Sequence, residues 1–167
     1  VILLQIATQI ATYAIFSNTD CNMARCEGQQ TGTCHDPVHE DKAVFGFRTD
    51  SMRALLITSF DAAPQLSALQ DRLPGQGEVR VRIMACGLNF ADLLMMQGRY
   101  QDMPSLPFTP GLELSGVIEA IGPETGSLPV GTRVALFSGQ GGLAETGCFP
   151  AERCFAIPDS MSFETAA

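Results

Sequence analysis

Cys86, Asn89, Asp92 and Tyr100 fall within the stretch ACGLNFADLLMMQGRY, residues 85–100, and Glu113 follows in TPGLELSG. Three kinds of chemistry are open to this set. A thiol and two carboxylates are metal-ligand types. An amide and a phenol hydroxyl can hydrogen-bond an organic substrate. Asn89 and Asp92, three residues apart ahead of an apolar run, also have the spacing of a helix capping box.

The elements that must position these residues read mainly as strands. In EVRVRIMACG, Val79, Val81 and Ile83 alternate with Arg80 and Arg82, which predicts a strand with its aliphatic face inward and its arginines toward solvent. MRALLITSF, LSGVIEAIG and TRVALFSG read as further strands, and GCFPAERCFAIP as two short ones broken by a proline-containing turn. Two helices are expected. In NFADLLMMQG, Asn89 caps, Leu93, Leu94 and Met96 supply the apolar stripe, and Gly98 stops the helix. In SFETAA, Ser162 caps and Glu164 sits in the first turn, and the chain ending inside this helix suggests a truncated protein. Short strands with tight Gly and Pro punctuation indicate a small barrel or sandwich. The glycines of GQGG, residues 139–142, are expected to form a hairpin turn, because a dinucleotide fingerprint needs a helix after it and strand-like LAETGCFP follows instead.

Composition narrows the function classes. The 167 residues suffice for one domain and an appendage, and a net charge of -8 argues against a nucleic-acid partner. Cys86, Cys148 and Cys154 lie in apolar, strand-like stretches and read as buried free thiols of a reducing compartment, the cytoplasm.

Residues 1–51 differ from the rest. VILLQIATQIATYAIF carries Gln5, Thr8, Gln9 and Thr12 and is shorter than the roughly 20 apolar residues of a membrane span. It also lacks the basic start of a signal peptide. Cys21, Cys26, Cys34, His35 and His39 follow, but the first pair is C-x4-C with a further Cys abutting His35, a poor match to paired zinc knuckles. We read this segment as not binding zinc. The expected organisation is a disordered or artefactual extension over 1–51 and one domain from Met52 to Ala167.

EVRVRIMACGLNFADLLMMQGRY, LPFTPGLELSGVIEAIG, VGTRVALF and GGLAE, in this order, resemble the N-terminal GroES-like domain of medium-chain dehydrogenases/reductases, and most of all the zeta-crystallin type NADPH:quinone oxidoreductases. The resemblance covers nearly all of residues 52–167 and implies a partly open β-barrel with a few short helices. The family's Rossmann domain, which carries the cofactor, is expected to be absent from this chain. In the zinc-dependent relatives a ligand cysteine aligns with Asn89 and a ligand histidine with Leu112, so the resemblance implies a zinc-independent enzyme. It departs from the family where Met96 stands in place of a common arginine.

The function so implied is hydride transfer from NADPH to a quinone or an activated alkene such as an enone. Asn89, Tyr100 and Asp92 match the catalytic positions, and Asn89 and Tyr100 match positions against the cofactor. Asn89 and Asp92 serve equally well as a capping box, and Tyr100 as a core aromatic. Glu113 ranks below them, being expected to pair with an arginine. The longer parent is expected to be a homodimer, without nucleic acid or membrane as partner, and this chain alone to be inactive. The alternative is a non-catalytic GroES-like binding or interaction module.

Overall fold

The alternation in EVRVRIMACG folds as anticipated into a ten-residue strand, with Val79 and Val81 fully buried. The computed structural model of the chain describes residues 51–126 and 128–167. The cysteine and histidine cluster of the first fifty residues lies outside them.

Two antiparallel strands, β1 (Ser51–Leu56) and β2 (Gln65–Gln70), form one sheet. β3 (Glu78–Gly87), β4 (Glu113–Ile121), β5 (Arg133–Phe137), β6 (Thr146–Pro150) and β7 (Cys154–Ala156) form a second, antiparallel throughout, in the order β6-β3-β4-β5-β7. Isolated bridges, Ala54 to Ala144 and Ile57 to Phe108, join the first sheet to the loops of the second. The described residues therefore form a mainly β domain whose sheets do not close into a complete barrel. β3 and β4 shift register between Arg80 and Val81 and again between Ile83 and Ala85. Such bulges bend a strand and increase its twist.

The core has two parts. Val79, Val81, Leu114, Ile118, Val134 and Leu136 fill the inner face of the larger sheet. Leu55, Ile57, Met95, Met96, Phe108 and Leu112 form the other, between the smaller sheet and helix α1 (Phe90–Met96). Full burial of such a side chain contributes about 1.5–3 kcal/mol. α1 ends where expected, with Gly98 at φ 68°. Its buried face, however, is Asp92, Met95 and Met96, while Leu93 and Leu94 are only half-buried. The helix is rotated so that a carboxylate goes inward, which hydrophobic periodicity does not anticipate.

Two further expectations are corrected. Arg80 is not at the surface: its side chain is 15% exposed and lies 2.5 Å from Asp71 and 3.5 Å from Glu119. Residues 139–142 are not a hairpin between neighbouring strands, since β5 and β6 lie on opposite sides of the sheet. The segment crosses between them, with the N–H groups of Gly141, Gly142 and Leu143 donating to the carbonyls of Thr109, Gly111 and Pro110 at 2.7–2.9 Å.

A 3-10 turn (Ala151–Arg153) links β6 to β7, and the short helix α2 (Phe163–Ala166) follows. Ser162 Oγ accepts from the Thr165 N–H at 3.2 Å, the expected cap. Ser115 donates to the Phe163 carbonyl at 2.6 Å, and the Arg133 guanidinium stands 4.4 Å from the Phe163 ring. These contacts seat α2 on β4 and β5.

Candidate functional site

β3 ends at Gly87, two exposed residues turn the chain, and α1 begins at Phe90. On the neighbouring strand the approach to β4 passes through Gly111 and Leu112 to Glu113, which pairs with Gly87. One carboxylate holds these two turns together. Asp92 is 1% exposed, its Oδ2 accepts from the Asn89 N–H at 2.8 Å, and its Oδ1 accepts from the Gly111 N–H at 2.9 Å. Both oxygens thus meet backbone donors, as a buried carboxylate requires.

The capping box is present but unequal. Asp92 makes its half strongly. The Asn89 side chain faces the N–H of residue 92 without closing a hydrogen bond, because that N–H donates to the Asn89 carbonyl at 3.1 Å. The Asn89 amide is instead drawn across to Glu113, donating through Nδ2 to Oε2 at 2.9 Å. Glu113 therefore pairs with an amide and not, as the sequence suggested, with an arginine. Among the described residues no ion pair forms at Glu113.

Cys86 lies beneath this junction. A methyl group built on Gly111 or Gly142 would stand 2.8 or 2.7 Å from its sulfur. Burial first, then the Asp92 and Glu113 carboxylates, push the thiol up to about 12. It stays protonated in the folded chain, which makes it an inert core group and a costly metal ligand. Among the described residues no three of His, Cys, Asp and Glu come together in a way that could hold a metal ion.

This shift implies an alkaline loss of stability. The Cys86 pKa rises from 9.0 on folding, so its contribution is complete below pH 9 and is lost as the pH climbs toward 12. Thermal unfolding between pH 9 and 11 should fall more steeply in the wild type than in Cys86→Ala. Equal slopes would refute the assignment.

Of the candidate residues, the structure brings together Asn89, Asp92 and Glu113. Tyr100 stands apart, beyond the other end of α1, half-buried and packed against the core cluster between the smaller sheet and α1. Sequence reasoning passed over Gly111, whose N–H completes the Asp92 contacts at φ 104°. Its signal was a glycine between Pro110 and the start of a strand.

The NADPH implied by the resemblance can be tested against these residues. A dinucleotide diphosphate sits on a glycine turn that opens a helix. Here Gly141 and Gly142 spend their N–H groups on the 109–111 loop and β6 follows, so the described residues do not fit the diphosphate. What they offer is a polar corner of one amide and one carboxylate, flanked by exposed Leu88 and Phe90, the latter 73% exposed.

The family model described as the alcohol dehydrogenase GroES-like domain matches residues 75–159, half of the chain. The human synaptic vesicle membrane protein VAT-1 homolog-like is 39% identical over 118 residues, 70% of this chain and 28% of its own length. A quinone oxidoreductase-like protein 2 homolog of Nematostella vectensis is 46% identical over 94 residues, 56% of this chain and 26% of its own. Among solved structures, the human VAT-1 homolog-like protein superposes with a TM-score of 0.65 at 37% identity, covering 70% of this chain and 38% of that one. The quinone oxidoreductase of Thermus thermophilus, also described in complex with NADPH, gives 0.60 at 36% identity over 69% of this chain and 35% of its own. The chain thus spans less than a third of the length of the two relatives named. Among the described residues no helix is long and apolar enough to cross a membrane.

Proposed function

This chain belongs to the alcohol dehydrogenase GroES-like domain family, within the medium-chain dehydrogenases/reductases, and from that membership we propose that it forms the substrate side of a zinc-independent oxidoreductase. The reaction is hydride transfer from NADPH to a quinone or an activated alkene. NADPH supplies the hydride, and its diphosphate is held by parts of a longer, homodimeric protein, not by the residues described above. Among the described residues Cys86, Cys148 and Cys154 are free thiols, which favours the cytoplasm as its location.

The observation that carries this reading is the Asn89, Asp92 and Glu113 cluster at the β3–α1 turn. Its groups are an amide and two carboxylates, and the one soft ligand nearby, Cys86, is held as a thiol. That set suits hydrogen bonding to an organic ligand better than it suits zinc. Asp92 acts as a positioning residue, fixing the Asn89 backbone. Asn89 contacts the ligand, and the Tyr100 hydroxyl donates to the oxygen where charge develops. For Tyr100 this role requires its hydroxyl to reach the cleft edge while its ring packs on the core.

In a protein that includes the cofactor-binding part, Tyr100→Phe should lower kcat/KM by about hundredfold to thousandfold, the range for losing one such donor, with little change in Tm. An unchanged rate would make Tyr100 a packing residue. The 167-residue chain alone should bind NADPH weakly and turn nothing over; tight binding by it would sink the proposal. That the described residues form no phosphate cradle favours a second reading, a non-catalytic binding module, which the absence of NADPH-dependent reduction in the longer protein would support.

A further inference from the structure

β1 is bonded along both of its edges, and β2 along one. The Leu55 N–H donates to the Leu143 carbonyl at 2.9 Å, and the Glu145 N–H to the Arg53 carbonyl at 3.0 Å. Alternate residues of a strand direct their backbone groups to opposite sides, so Arg53 and Leu55 face the 143–145 segment while Met52, Ala54 and Leu56 face β2. Their partners there are Leu69, Ser67 and Gln65. By the same alternation Leu66, Ala68 and Gln70 turn their N–H and C=O groups away from β1, and among the described residues nothing pairs with them. Such a row is a template for another strand, which proteins usually blunt with short strands, charges or proline. β7, at one edge of the larger sheet, is blunted in this way: it has three residues, preceded by Arg153 and followed two residues on by Pro158. β2 is not. Its six residues, QLSALQ, include no charge and no proline, and Leu66 is 55% exposed.

This edge is also matched to itself. In an antiparallel pair related by a twofold axis, a residue on the axis faces its own copy. With Ala68 there, Leu66 faces the partner's Gln70, and each outward N–H of Leu66, Ala68 and Gln70 meets an outward carbonyl. The side chain that meets its own copy is then a small one. The chain carries a net charge of -8, so two copies repel over much of their surface, but this uncharged strand sets no like charges opposite each other. It also offers a charged peptide no side chain for an ion pair. We propose that β2 is the surface through which two copies of this chain associate, in antiparallel register about Ala68. A contact of this length buries less than the roughly 1,200 Å² of stable complexes, so the dimer is weak and forms at high concentration. It involves neither Asn89 nor hydride transfer, and its failure would leave the proposed reaction untouched.

Sedimentation equilibrium of the 167-residue chain under reducing conditions tests this. The average mass should climb toward twice that of one chain between about 10 μM and 1 mM. Ala68→Pro removes an N–H that β1 does not use, so the fold keeps its bonds while the central pair across the axis is lost. The dissociation constant should rise at least about tenfold, the scale of two hydrogen bonds. Ala68→Lys and Ala68→Glu each set like charges across the axis and should each stay monomeric, whereas an equimolar mixture of the two should associate again. Thermal unfolding of each variant in the dilute, monomeric range checks that the domain is folded. A wild type that is monomeric throughout, or a dimer that all three variants leave undisturbed, overturns the proposal. A mixture that fails to associate overturns the register about Ala68. Slow hydrogen exchange at the Leu66, Ala68 and Gln70 amides of the dilute monomer also overturns the proposal, because another part of the chain would then already cover the edge.

Discussion

Asp92→Ala is expected to destabilise the domain by about 3 kcal/mol or more, because it strands two backbone donors that no other described group accepts from at that junction. The buried Gly111 N–H left unsatisfied costs up to roughly 3 kcal/mol, charge-assisted bonds lying at the upper end, and the part-buried Asn89 N–H adds to it. Against a total stability of about 5–15 kcal/mol for a domain, this is a large share. Asp92→Asn discriminates between hydrogen bonding and mere packing. An amide of the same shape presents one acceptor and one donor where two N–H groups wait, so it should recover less than half of the loss. Denaturant unfolding measures both variants, and an Asp92→Asn chain as stable as the wild type would show that the carboxylate is dispensable.

Gly111→Ala should cost a similar amount for a different reason. Gly111 has φ 104°, which side chains seldom adopt, and its added methyl would fall 2.7 Å from Gly142 Cα and Leu143 N and 2.8 Å from Cys86 Sγ. Backbone strain of about 1–3 kcal/mol combines with overpacking of about 1–3 kcal/mol. Two of the three clashing atoms are backbone, so relief requires moving the 139–143 crossing itself. For a domain of this size a loss of about 3 kcal/mol lowers Tm by roughly 12 °C or more. The same shift would displace the N–H that Asp92 accepts, so Gly111→Ala and Asp92→Ala should be markedly less than additive. Strict additivity in the double variant would mean that the two residues do not share one junction.

Both predictions concern a site that was only half legible in the sequence. The alternation of Val79, Val81 and the arginines identified β3, because a period of two reports local backbone geometry and one-sided burial. Asn89, Asp92 and Gly98 marked both ends of α1 for a similarly local reason: caps and stops act within a few residues of where they stand. The apolar stripe of α1 was misjudged at Leu93 and Leu94 because its inward face includes Asp92, and a carboxylate is scored as outward until its partners are known.

The amino-acid order by itself thus determined the strands other than β2, which no apolar run marked, together with the caps and the spaced motifs of the family, since each depends on interactions between near neighbours in the chain. It could not determine that Asp92 reaches Gly111, that Glu113 takes the Asn89 amide, or that the 139–142 glycines cross the fold instead of turning a hairpin. Those contacts join residues 19 and 24 positions apart, or strands at opposite sides of a sheet. They exist only because the pairing of β3 with β4 brings the two turns side by side, and strand order is set by the packing of the whole core, not by any local signal.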